Sequence, residues 1–124
     1  MSETAPRGLR VGVHMFNAGE YFEQHEVLED LWRAEPGPIR ELYQGILQIG
    51  VGCYHLERGN YHGATTLLDR GLARLQTVAP DAMGVDVAGL LLQARWLRRE
   101  LGERGPERMG EIDRGRFPKV AWLR

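Results

Sequence analysis

Apolar side chains recur every three or four positions along most of the chain, and no stretch alternates apolar and polar residues between hairpin turns. Spacing near 3.6 residues marks one face of a helix, whereas a half-buried strand alternates with period two. Leu9, Val13 and Phe16 lie on one side of a short first helix that Asn17 and Gly19 bring to an end. A second helix is predicted from about Glu20 to Ala34, stopped by Pro36 and Gly37 in "EPGP". Pro38 suits the first turn of a third helix, where a missing N–H is harmless, and this helix continues to Arg58. Gly59 can adopt left-handed φ and Asn60 can cap a helix, so "RGNYHGA" divides the third helix from the fourth. Tyr61, Ala64, Leu68, Leu72 and Leu75 line the fourth helix as far as Pro80. Asp86 caps a fifth that carries Leu90, Leu91, Ala94, Leu97 and Leu101 before Gly102.

The expectation is an all-α fold, a compact bundle of about five helices whose short connections favour antiparallel neighbours. The helical core covers about 9–102 of a single domain, and 103–124 forms an irregular C-terminal tail packing on the body through Phe117, Val120 and Trp122. "CYHLERGNYHGATTLLDRGLARL" is similar to the helical hairpin of a tetratricopeptide unit. A solenoid repeats such units about every 34 residues, and only one is present, so a tetratricopeptide-like hairpin is expected and an array is not.

The second and third helices carry the candidate chemistry. In "YFEQHEVLEDLW", Tyr21, His25, Leu28 and Trp32 share a narrow arc with Glu29 beside them, while Glu23, Glu26, Asp30 and Arg33 face the other way. On the third helix Gln44, Gln48 and His55 form a polar line opposite the apolar stripe of Leu42, Ile46, Ile49 and Cys53. Gly45 and Gly52, beside that line, would admit a neighbouring helix closely. If the second helix packs there, His25, Glu29, Gln44, Gln48 and His55 meet in one cluster; otherwise Gln44, Gln48 and His55 face solvent.

Three chemistries compete for such a cluster. It can be a satisfied hydrogen-bond network that fixes helix register, since an unpaired buried polar group costs roughly 1–3 kcal/mol. It can bind a divalent metal through His25, Glu29 and His55, the glutamines orienting the ligands. It can also form a pocket for a small polar molecule, with His25 or His55 as acid or base and Glu29 orienting it. "HEVLE" is not the His-Glu-x-x-His arrangement of metalloproteases, and two ligands on one helix do not make a site, so the network is the favoured reading. His14 and His62 are expected at the surface, and Cys53 on the apolar stripe is expected to be inert packing.

Composition adds limits. Apolar content of 43% and charged content of 27% are those of an ordinary soluble domain. No apolar run is long enough to cross a bilayer, "MSETAPRG" lacks the apolar centre of a secretory signal, and the lone cysteine cannot close an internal disulfide; a cytoplasmic protein without membrane contact is expected. The net charge of −1 hides an asymmetry: residues 1–94 carry seven basic and twelve acidic side chains, and residues 95–124 carry nine and five. A basic tail can touch nucleic acid or an acidic partner. A pI near 6.4 and the lack of a nucleic-acid motif favour a tail that folds back on the acidic body instead.

The ordered motifs "YFEQHEVLEDLWR", "YQGILQIGVGCYH" and "GNYHGATTLL", between about Phe16 and Leu75, resemble the family catalogued as domain of unknown function 309. The resemblance implies an all-helical fold and supplies no reaction. The function expected is therefore a non-enzymatic binding or interaction module whose partner is an unknown protein or small-molecule ligand. The alternatives are a metal-dependent or acid–base enzyme using the same cluster, and a structural homodimer joined through exposed aromatics such as Trp96 or Trp122.

Overall fold

The computed structural model describes residues 4–123. Five helices form the body: α1 (Arg7–Asn17), α2 (Tyr21–Ala34), α3 (Arg40–Glu57), α4 (Tyr61–Gln76) and α5 (Val87–Arg108). The all-α expectation holds. Gly59 takes φ +74° at the end of α3, and the Asn60 side chain accepts a 2.9 Å bond from the Gly63 N–H at the start of α4. Asp86 caps α5 in the same way through Gly89 N–H.

The central helix is α3, with α2 against one side and α4 against the other. Its apolar stripe of Leu42, Ile46, Ile49 and Cys53 is fully buried. Contact with α4 depends on missing side chains. A Cβ on Gly45 would stand 2.6 Å from Leu75, one on Gly52 3.0 Å from Leu68, and one on Gly71 2.7 Å from Ile49. Gly45 and Gly52 therefore admit α4, not α2 as the sequence pattern implied. The second helix approaches α3 at Gly50, where a Cβ would run into the Gln24 amide.

Two boundaries differ from expectation. Between α4 and α5 lies a short antiparallel ribbon, β1 (Asp81–Ala82) and β2 (Val85–Asp86), where no strand is predicted. Met83 and Gly84 join its strands at φ +52° and +81°. Two left-handed residues make the turn that matches strand twist, but methionine in the first place hides the usual Asn-Gly or Asp-Gly signal. Helix α5 also runs through Gly102; the break falls at Gly105 (φ +74°), followed by Pro106 and one further turn.

The tail returns to the body. Short 3₁₀ turns at Met109–Glu111 and Arg114–Arg116 lead to Phe117 and Val120, both buried. Asn17 exchanges two hydrogen bonds with the Val120 backbone, of 2.8 and 2.9 Å. The Lys119 ammonium donates to the Asn17 carbonyl, and Arg114 pairs with Glu57. Trp122 bridges Val85 through its backbone while its side chain stays half exposed. Much of the tail's basic charge is thus used on the molecule itself. Among the described residues, no helix is long and apolar enough to cross a membrane.

Candidate functional site

The joint between α2 and α3 is built around a residue outside the expected cluster. Gln24 is completely buried, and its Nε2 donates to Tyr21 O at 3.0 Å and, across the helix gap, to Leu47 O at 3.2 Å. At 100° per residue Gln24 stands about 40° from Leu28, inside the buried arc. The angular signal exists, but a glutamine between Glu23 and His25 reads as surface.

Gln48 is 6% exposed and Gln44 is half-buried, so neither simply faces solvent. No hydrogen bond joins either to His25, Glu29 or His55. Among the described residues, five buried polar side-chain atoms lack a hydrogen-bond partner, and all belong to α2 or α3: Gln24 Oε1, Trp32 Nε1, Arg40 Nε, Gln44 Oε1 and Gln48 Oε1. The Arg40 guanidinium stacks 4.4 Å above the Trp32 ring. These atoms are two N–H donors and three amide acceptors, groups that usually find polar partners when buried.

His25 and Glu29 do meet. His25 Nε2 lies 3.3 Å from Glu29 Oε2, and Glu29 Oε1 accepts a 3.0 Å bond from Arg33. The chain His25–Glu29–Arg33 runs along the edge of α2, with the imidazole 37% and the carboxylate 28% exposed. His55 turns towards its own helix end, where Nδ1 is 3.3 Å from Asn60 Nδ2. Among the described residues, no three His, Cys, Asp or Glu side chains converge as a metal ligand set.

What brings the two histidines to one place is a pocket of about 160 Å³ between α2 and α3, lined by Tyr21, Phe22, His25, Val51, Tyr54 and His55. Its walls are nearly all carbon, because both imidazoles direct a ring nitrogen elsewhere. Phe22, 56% exposed, leans on Tyr54 with ring centroids 6.0 Å apart, and the Arg58 guanidinium sits 5.4 Å from the Tyr54 ring. An opening of this size and character suits one apolar side chain or a small apolar molecule. Phe22, Val51 and Tyr54 are not among the expected site residues; they read as core positions, and only the packing leaves them around an opening.

Tyr21 lines the pocket and is buried, as is Cys53. Burial pushes the thiol from its ordinary 9.0 up to about 12, with Glu57 adding to the shift, and burial also raises the Tyr21 phenol. Neither ionises near neutrality, so Cys53 is packing. His14 and His62 are exposed.

Residues 9–67, which span α1 to α3 and the first turns of α4, match the family model described as Domain of unknown function (DUF309). The matched stretch is 59 of the 124 residues, a little under half of the chain. That segment contains every residue of the α2–α3 seam and pocket. The chain is similar to "Uncharacterized protein YpuF" of Bacillus subtilis (strain 168), at 37% identity over 75 residues, which is 58% of this chain and 43% of that protein. It is also similar to an "Uncharacterized protein" of Aquifex aeolicus (strain VF5), at 19% identity over 80 residues, 64% of this chain and 24% of the relative. The matches thus cover less than half the length of either relative. Beyond the DUF309 segment lie most of α4, the ribbon, α5 and the tail.

Proposed function

We propose that this protein is a non-enzymatic interaction module whose α2–α3 face receives one apolar side chain of a partner. The observation that carries the reading is the pocket, which opens beside the half-exposed ring of Phe22 and is walled by carbon. Gln24 holds its two helices in register, and His25, Glu29 and His55 form a polar rim that positions a partner's backbone or polar groups. In this reading the five expected cluster residues divide: His25, Glu29 and His55 border the site, whereas Gln44 and Gln48 stand on α3 outside its lining.

A titration of ¹⁵N-labelled protein with isobutanol, which carries the branched end of a leucine, tests the reading. Saturable shifts are expected at Tyr21, Phe22, His25, Val51, Tyr54 and His55. Shifts that stay linear and scatter over the whole surface would refute it.

A second reading has one observation in its favour. The 3.3 Å contact of His25 with Glu29 is the arrangement by which a carboxylate orients an imidazole for proton transfer. It predicts that Glu29→Gln folds normally and loses turnover of a small polar substrate, whereas the interaction reading predicts no turnover to lose.

A further inference from the structure

A second groove, of about 440 Å³, lies between α5 and the returning tail, beyond the DUF309 segment. Leu92, Trp96 and Phe117 supply its apolar wall, and Arg116 and Lys119 supply its charge; among the described residues no carboxylate lines it. We propose that this groove docks an acidic segment of a partner protein. One apolar side chain of the segment sits against Leu92 and Trp96, and carboxylates on either side of it meet Arg116, Lys119 and Arg99. This face is separate from the α2–α3 pocket, with which it shares no lining residue.

The groove is held in shape by the packing of the tail. The Gln93 side chain donates to Lys119 O at 3.0 Å and accepts from the Lys119 N–H at 2.8 Å. With Phe117 and Pro118 buried, this clamp fixes the tail against α5 and leaves the Arg116 and Lys119 side chains exposed. Leu92 is 69% exposed, more than any other large apolar residue among those described. A single exposed leucine is ordinary; this one stands beside a tryptophan in a groove edged by cations.

Those cations are the part of the basic C-terminal charge that the fold does not neutralise. Arg98, Arg104, Arg108 and Arg114 each pair with a carboxylate. Arg95, Arg99, Arg116 and Lys119 form no ion pair among the described residues. Arg116 stacks 4.2 Å from the Trp96 ring, a contact that uses the face of the guanidinium and leaves its N–H edge for a carboxylate. The Lys119 ammonium donates to a neutral carbonyl, Asn17 O, at 2.8 Å and keeps two further donors. At 100° per residue Arg99 lies about 20° from Leu92, two turns along the same face. Of the carboxylates on this side of α5, Glu100 is paired with Arg104 at 3.1 Å, and Glu103 stands a turn beyond Arg99, outside the lining.

Positive charge set at separate points around an apolar strip matches carboxylates spaced along a peptide better than one compact anion. A nucleic acid strand would bind by stacking its bases on open aromatic faces. Here Arg116 already lies on the Trp96 ring and Phe117 is buried, so the apolar group most open to a partner is the aliphatic Leu92.

Fluorescence anisotropy with three fluorescein-labelled probes tests the proposal: the peptide Glu-Asp-Glu-Leu-Phe-Glu-Asp-Glu, the same peptide with Ser-Ser in place of Leu-Phe, and an octathymidine strand. The wild type should bind the first peptide saturably, less tightly as salt rises, and the serine peptide more weakly by about tenfold or more. Leu92→Ser and, separately, Arg99→Glu with Arg116→Glu should each weaken binding of the first peptide by about tenfold or more, with helical circular dichroism unchanged. Val51→Phe, which fills the α2–α3 pocket, should bind that peptide as the wild type does. Absence of saturable binding, equal affinity for the two peptides, or groove variants that bind like the wild type would overturn the proposal. Binding abolished by Val51→Phe would overturn it by moving the peptide to the other pocket, and tighter binding of octathymidine would overturn it in favour of a nucleic acid.

Discussion

Replacing Gly50 by alanine probes how closely α2 approaches α3, and the structure sets opposing effects against each other. Alanine is the better helix former, which alone would stabilise a helix interior by about 1 kcal/mol. The new methyl would run into the Gln24 amide and stand 3.2 Å from Phe16 Cδ2. Gln24 is fully buried and tied to Leu47 O, so it has no open space to move into. Overpacking of this kind costs roughly 1–3 kcal/mol, and loss of the buried bond to Leu47 O adds roughly 1–3 kcal/mol. The expected net effect is a loss of about 1–5 kcal/mol. Gly8→Ala is the matched control, because its methyl would meet Leu31 at an ordinary 3.5 Å; it should be neutral or stabilising by up to about 1 kcal/mol. Urea unfolding followed by far-ultraviolet circular dichroism measures both. A Gly50→Ala protein as stable as the wild type would refute the close α2–α3 approach through Gln24.

The remaining predictions concern the rim and the floor of the pocket. His25→Ala and Glu29→Gln should each cost less than about 1 kcal/mol in urea unfolding, since pairs this exposed contribute little; a loss above about 2 kcal/mol would make them joinery of the core instead. Cys53 should react with a thiol probe at mildly alkaline pH only after unfolding, because its thiol is pushed up to about 12; rapid labelling of folded protein would contradict its burial. The same shift gives a pH dependence. Stability that depends on the neutral thiol is fully present below the unfolded value of 9.0 and is lost as pH rises towards about 12. A Cys53→Ala protein should show a flatter loss across that window, and an identical slope would assign the loss to other groups.

Helix content is legible in the sequence because periodicity agrees with the glycine and proline breaks and, at the starts of α4 and α5, with cap residues. Asn60 and Asp86 cap helices as their side-chain chemistry predicts. The Met83–Gly84 turn is hidden because its first left-handed residue is a methionine, for which no propensity argues. The site is legible only in part. Periodicity places His25 and Glu29 on the correct edge of α2, but it cannot decide which side of α3 meets α2 when α3 is buried nearly all round. The glycines mislead for the same reason, since Gly45, Gly50 and Gly52 all permit close approach and only packing assigns Gly50 to α2. A pocket is a space between helices, and residues such as Val51 and Tyr54 carry no mark in the sequence that they border one rather than fill a core.

Whether the α2–α3 face receives an apolar group is decided by the isobutanol titration, carried out in parallel on the wild type and on Val51→Phe, whose larger side chain fills the pocket from the α3 side. Saturable shifts are expected at the pocket residues of the wild type and none in the filled variant. Equal responses from the two proteins, or none from either, would contradict the receptor reading.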